Sequence, residues 1–104
     1  MNFTQYLIET TTNVDDRIQL DKILLSLIPK QVDSIKRNMT SIPGGMVEFR
    51  STVERFSQKF GNPKLSDPSL RFVEWVVKVN KNKFTVTLEK VDKDKNFALY
   101  VSMI

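Results

Sequence analysis

Around residue 61 the spacing of apolar residues changes from steps of three and four to steps of two. Upstream, Met46, Phe49, Val53, Phe56 and Phe60 mark one face of a helix. Downstream, three runs alternate: Val73, Trp75, Val77 and Val79; then Phe84, Val86 and Leu88; then Phe97, Leu99, Val101 and Met103. A period of two puts each run on one side of a strand. A chain that is helical first and stranded afterwards belongs to the α+β class, with its helices gathered on one face of an antiparallel sheet.

With 104 residues the chain has material for one core and not two. The expected organisation is a single domain, 1–104, with a helical part over about 2–60, a linker at 61–69 and a β-meander over about 70–104. Asn2 is a fitting cap for a short helix over 2–10, and the run Thr10-Thr11-Thr12-Asn13 is expected to break it. A second helix from Val14 to 28 carries Ile18, Leu20, Ile23, Leu24, Leu25, Leu27 and Ile28, a stripe broad enough for a central core helix. Val32, Ile35 and Met39 suggest a third helix over 30–40, and Ser41-Ile42-Pro43-Gly44-Gly45 reads as a breaker. The helix over 46–60 ends at Gly61, a residue suited to the position after a helix. Three strands near 70–79, 84–91 and 97–103 follow, joined by short polar turns, which implies an antiparallel meander. The expected fold is therefore three to four N-terminal helices packed on one face of a three-stranded sheet.

The chain has no histidine and no cysteine. Ser–His–Asp triads, cysteine nucleophiles and zinc sites of the usual ligand types are thereby excluded. Asp92-x-Asp94-x-Asn96 copies the opening of a calcium-binding loop, but Phe97 stands where that loop needs glycine. No catalytic residue, metal site or cofactor is assigned, and the expectation is a non-enzyme. The longest apolar stretch, Ile23 to Ile28, is far short of the roughly 20 residues of a membrane span. The N-terminus lacks a basic, then apolar, secretory pattern. These features point to a cytoplasmic protein without a membrane partner.

Net charge is +4. Residues 1–45 hold five bases and five acids, so residues 46–104 carry the whole excess. Two surfaces follow. The first is the second side of the sheet, where Phe72, Glu74, Val76, Glu89, Tyr100 and Ile104 mix greasy and charged groups. That mixture suits a protein partner or a homodimer better than plain solvent contact. A two-residue turn at Lys81-Asn82 would set Glu74 opposite Glu89, an unfavourable pair without a neutralising neighbour. The second surface is the turn carrying Lys78, Lys81 and Lys83, with Asn80 and Asn82 as further donors. Together with Arg50, Arg55 and Lys59 on the helix before it, this turn is the alternative, a phosphate-contacting nucleic-acid surface. Helices at 30–40 and 46–60 followed by a basic hairpin have the element order of a winged helix-turn-helix. The long 61–69 linker and the acidic Glu48 and Glu54 on the would-be reading helix depart from that pattern.

The opening Met-Asn-Phe-Thr-Gln-Tyr-Leu-Ile-Glu resembles the capsid-targeting leader of internal head proteins in T-even-like bacteriophages. Phe3 and Tyr6 match the spaced aromatics of such leaders, and Leu7-Ile8-Glu9 matches their cleavage site, with Leu7 and Glu9 as its defining residues. Threonine follows where the family commonly has alanine. The resemblance covers nine residues. It implies a phage setting, in the virion or the host cytoplasm, and binding or inhibition of a host factor as the style of action. The sequence as a whole thus supports a small non-catalytic interaction module using the outer sheet face and an edge strand, with nucleic-acid binding as the alternative.

Overall fold

A computed structural model of the chain describes residues 3–28, 32–66, 71–90 and 95–104, with the backbone alone for residues 3–14. Helix α1 runs over Phe3–Leu27 and is followed by strand β1 at Met39–Pro43. Helix α2 occupies Met46–Phe60, and strands β2 (Leu65–Ser66), β3 (Phe72–Val79), β4 (Asn82–Lys90) and β5 (Asn96–Met103) complete the chain. The five strands form one antiparallel sheet in the order β1-β5-β4-β3-β2. The α+β class stands. The described residues hold two helices and five strands, however, in place of three to four helices and a three-stranded meander.

Each difference has a physical cause. The threonine run at 10–12 does not break the first helix, because threonine and asparagine disfavour helix by less than about 1 kcal/mol each and no proline or glycine intervenes. Two expected helices become one of 25 residues. Residues 3–9 of the leader-like segment fall at its start, and the side chains of Leu7 and Glu9 lie outside the described residues. The expected helix over 30–40 is not formed across 32–38. There the chain is irregular, with Val32 and Ile35 against the core, and it feeds β1 along the free edge of β5. Ile42 and Thr40 point inward and are buried, while Met39, Ser41 and Pro43 alternate outward. A long-range strand pairing here overrides a weak helical spacing, and Pro43 is tolerated because β1 is an edge. Residues Leu65 and Ser66, expected in the linker, pair with Glu74 and Val73 as the opposite edge.

The core lies between one side of the sheet and the two helices. Leu20 and Leu24 of α1 and Ile28 just after it recur every four residues and are buried, whereas Ile18 on another side is 47% exposed. From α2, Phe49 and Phe56 are fully buried. Phe49 meets Phe97 edge-on at 5.6 Å between ring centres, and Phe56 packs on Trp75 at 5.4 Å. The Trp75 indole N–H donates to the Gly61 carbonyl at 3.2 Å, so the end of α2 is tied to β3. Such aromatic pairs contribute about 0.5–1.5 kcal/mol beyond the area they bury.

The entry to α2 explains a requirement for glycine. Gly44 takes φ +149°, and its N–H donates to the Lys95 carbonyl at 2.8 Å. A Cβ built there would lie 2.6 Å from Glu48 Cβ and 3.1 Å from a Phe97 ring carbon. Glu48 is itself held, because its carboxylate accepts the Gly45 N–H at 2.9 Å. Gly44→Ala is therefore expected to destabilise the fold by about 1–3 kcal/mol, the range for a strained backbone position. A urea titration measures it. An unchanged midpoint would show that this turn relaxes freely.

Candidate interaction surface

Strand alternation builds the second side of the sheet. In register across it run Met39, Tyr100, Thr87, Glu74 and Leu65. A neighbouring row holds Ser41, Ala98, Glu89 and Phe72. On the other side come Ser102, Thr85 and Val76, then Ile104, Lys83 and Lys78. Both helices pack on the opposite side, and no described element covers this one. Phe72 and Val76 are each 37% exposed and Tyr100 39%. Met39, Leu65 and Ile104 are more open still. These six apolar residues are spread over one uncovered side of the sheet, with Glu74, Thr85, Thr87 and Ser102 between them, and so much exposed apolar surface on one side is a mark of an interaction site. A shallow depression of about 240 Å³ between Met39, Ser41, Glu89 and Tyr100 gives the patch relief.

The structure gathers all six expected interface residues, Phe72, Glu74, Val76, Glu89, Tyr100 and Ile104, onto this one side. It corrects their register. The β3–β4 turn is Asn80-Lys81, with Val79 paired to Asn82, so Glu74 faces Thr87 and Glu89 faces Phe72. The turn begins at Asn80 because that residue has φ +55°, a conformation asparagine tolerates better than lysine. The two glutamates become diagonal neighbours, and the like-charge pair that faces directly across β3 and β4 is Lys78 with Lys83.

The lysine turn has a different character from the one its composition suggests. Asp16 of α1 is buried, at 2% exposure, and sits beneath the turn. Its two carboxylate oxygens accept hydrogen bonds from Asn80 Nδ2 at 2.5 Å and Asn82 Nδ2 at 2.6 Å. Both asparagine amides thus point to an internal carboxylate. Next along the helix, Arg17 pairs with Asp21 at 2.9 Å and donates to the Lys36, Arg37 and Val101 carbonyls. Residues 16 and 17 together fasten α1 to the hairpin tip, to β5 and to the segment before β1. Sequence reading missed this clamp because its partners are about 65 residues apart. It missed the burial of Lys90 too, although alternation with Val86 and Leu88 places that side chain inward.

Lys78, Lys81 and Lys83 are exposed, as are Arg50, Arg55 and Lys59. They do not share a surface. Lys78 and Lys83 belong to the outer side of the sheet, whereas α2 lies against its inner side. The helix that a winged helix-turn-helix needs before α2 is replaced by an irregular segment and β1. Asp92 and Asp94 of the calcium-loop imitation lie outside the described residues.

Between α1 and α2 a wider cleft of about 630 Å³ is lined by Leu25, Ile28, Val47, Ser51 and Arg55, among others. Two hydroxyls at its wall are already engaged. Ser26 donates to the Ile23 carbonyl, and Thr52 to that of Glu48. Among the described residues no three acidic, histidine or cysteine side chains converge as a metal site. Nor is any described helix long and apolar enough to cross a membrane. Comparison with protein-family models, with curated proteins and with solved structures yields no match.

Proposed function

We propose that this protein is a non-catalytic interaction module whose working surface is the outer side of its sheet. The observation that carries the reading is the uncovered patch of Met39, Leu65, Phe72, Val76, Tyr100 and Ile104 on an otherwise well-packed sheet. Glu74, Glu89, Lys78 and Lys83 lie among and beside these apolar groups. An apolar surface set among charges is the usual make-up of a protein interface, where the apolar part supplies affinity and the charges supply register. Rigidity supports the reading as well. Regular strands hold the groups in place, so little ordering entropy is lost on association.

Nucleic acid is the weaker reading on two observations. The basic residues divide between opposite sides of the molecule, and a buried carboxylate sits under the most basic turn. The test uses the tagged full chain in a nuclease-treated extract of its native source, beside a Val76→Glu/Tyr100→Glu variant. The expected result is a protein retained by the unaltered chain and lost from the variant, about tenfold or more in yield, as for loss of interface anchors. Retention that nuclease abolishes, or that the variant shares, would overturn the proposal.

A further inference from the structure

The charges on the outer side are arranged along the strands as well as across them. Glu74 and Glu89 lie towards one end, and Lys78 and Lys83 lie towards the other. Glu74 and Lys78 are four residues apart on β3, about 13 Å at strand rise. The row Ser102–Thr85–Val76 lies between, uncharged. A surface acidic at one end, basic at the other and uncharged between is complementary to itself when turned end for end.

We propose that the occupant of this face is a second copy of the chain, docked face to face about a two-fold axis lying along the row Ser102–Thr85–Val76. The inference rests on the reading of this face as an interface, and it adds the partner and the orientation. An axis along that row runs across the strands and reverses their direction. Glu74 of one copy then meets Lys78 of the other, twice by symmetry. Tyr100 meets Ile104, and Val76 meets its own counterpart on the axis. Glu89 falls towards the lysine turn of the second copy, near Lys81. The alternative axis, parallel to the strands, sets acid on acid and base on base and is disfavoured by the same charges. Strands about 4.8 Å apart and about 26 Å long give roughly 500 Å² per copy, or about 1,000 Å² in all, at the low end for a specific interface. The dimer is accordingly a weak, salt-sensitive one.

Sedimentation equilibrium of the full chain over a wide concentration range tests the proposal, with Glu74→Lys and Lys78→Glu chains alone and mixed. All three chains should share one circular-dichroism spectrum, because both positions are at the surface. The unaltered chain is expected to dimerise. Each variant alone places like charges across the axis, and its association should weaken at least tenfold. The equimolar mixture pairs an acidic face with a basic one and should recover a dimer of one copy each. Val76→Asp, which sets two carboxylates against each other on the axis, should abolish association of the otherwise unaltered chain. An unaltered chain that stays monomeric, variants that dimerise as well as it does, or a mixture that stays monomeric would each overturn the second-copy proposal. The wider reading fails separately, by the extract experiment, if the altered face retains the same partner.

Discussion

Phe56→Ala is expected to destabilise the chain by about 3–5 kcal/mol, the range for removing a buried aromatic ring. Phe56 is fully buried, and its ring joins two others, Phe60 at 5.7 Å and Trp75 at 5.4 Å. No other side chain of α2 connects the helix end to β3 in this way. A domain of this size has about 5–15 kcal/mol of total stability, so the substitution removes a large share of it. Trp75 is the single tryptophan, and its emission follows unfolding directly. The same cavity should quicken exchange of Trp75 with solvent quenchers before global unfolding. A shift under 1 kcal/mol in urea would mean that the helix–sheet packing is looser than the ring contacts indicate.

Asp16→Ala is expected to cost about 3 kcal/mol, from two hydrogen bonds to a carboxylate at about 1.5 kcal/mol each. The loss is directional. Asp16 holds α1 against the β3–β4 turn, so amide exchange should accelerate at residues 79–83, while the β1–β5 pairing stays protected. Asp16→Asn keeps the shape but brings one amide N–H₂ against two donors, and it should recover little of the stability. Full stability in either variant, or exchange accelerated evenly over the sheet, would contradict the clamp.

These two residues show what the sequence made legible and what it did not. Phe56 belongs to a helical stripe, Met46 to Phe60, that is readable from spacing alone, and α2 has those bounds. Strands β3 to β5 are equally plain, because buried Trp75, Val86 and Leu99 each belong to an apolar run with a period of two over five to seven residues. The edges are not. Strand β1 exists because β5 offers an unpaired side, and Thr40 and Ile42 carry too short an alternation to announce it. Leu65 and Ser66 are two residues long and have no period at all. The turn at Asn80-Lys81 was misplaced by one residue, which moved Glu74 from Glu89 to Thr87. Moving a two-residue turn by one position shifts each cross-strand partner by two residues, so every side chain keeps its face. That is why the outer-face residues were grouped correctly while their pairing was not. The Asp16 clamp was illegible for another reason: a lone aspartate at helical spacing carries no sign of the two amides it will meet.

The most direct measurement of the central claim is photo-crosslinking from the two sides of the molecule in a nuclease-treated extract of the native source. A photoreactive benzoylphenylalanine replaces Val76 on the outer sheet side in one chain and the exposed Gln58 of α2 in another. The account predicts protein adducts from position 76, a second copy of the chain among them, and few or none from position 58. Adducts from position 58 with none from position 76 would contradict it, and would place the working surface on the helices instead.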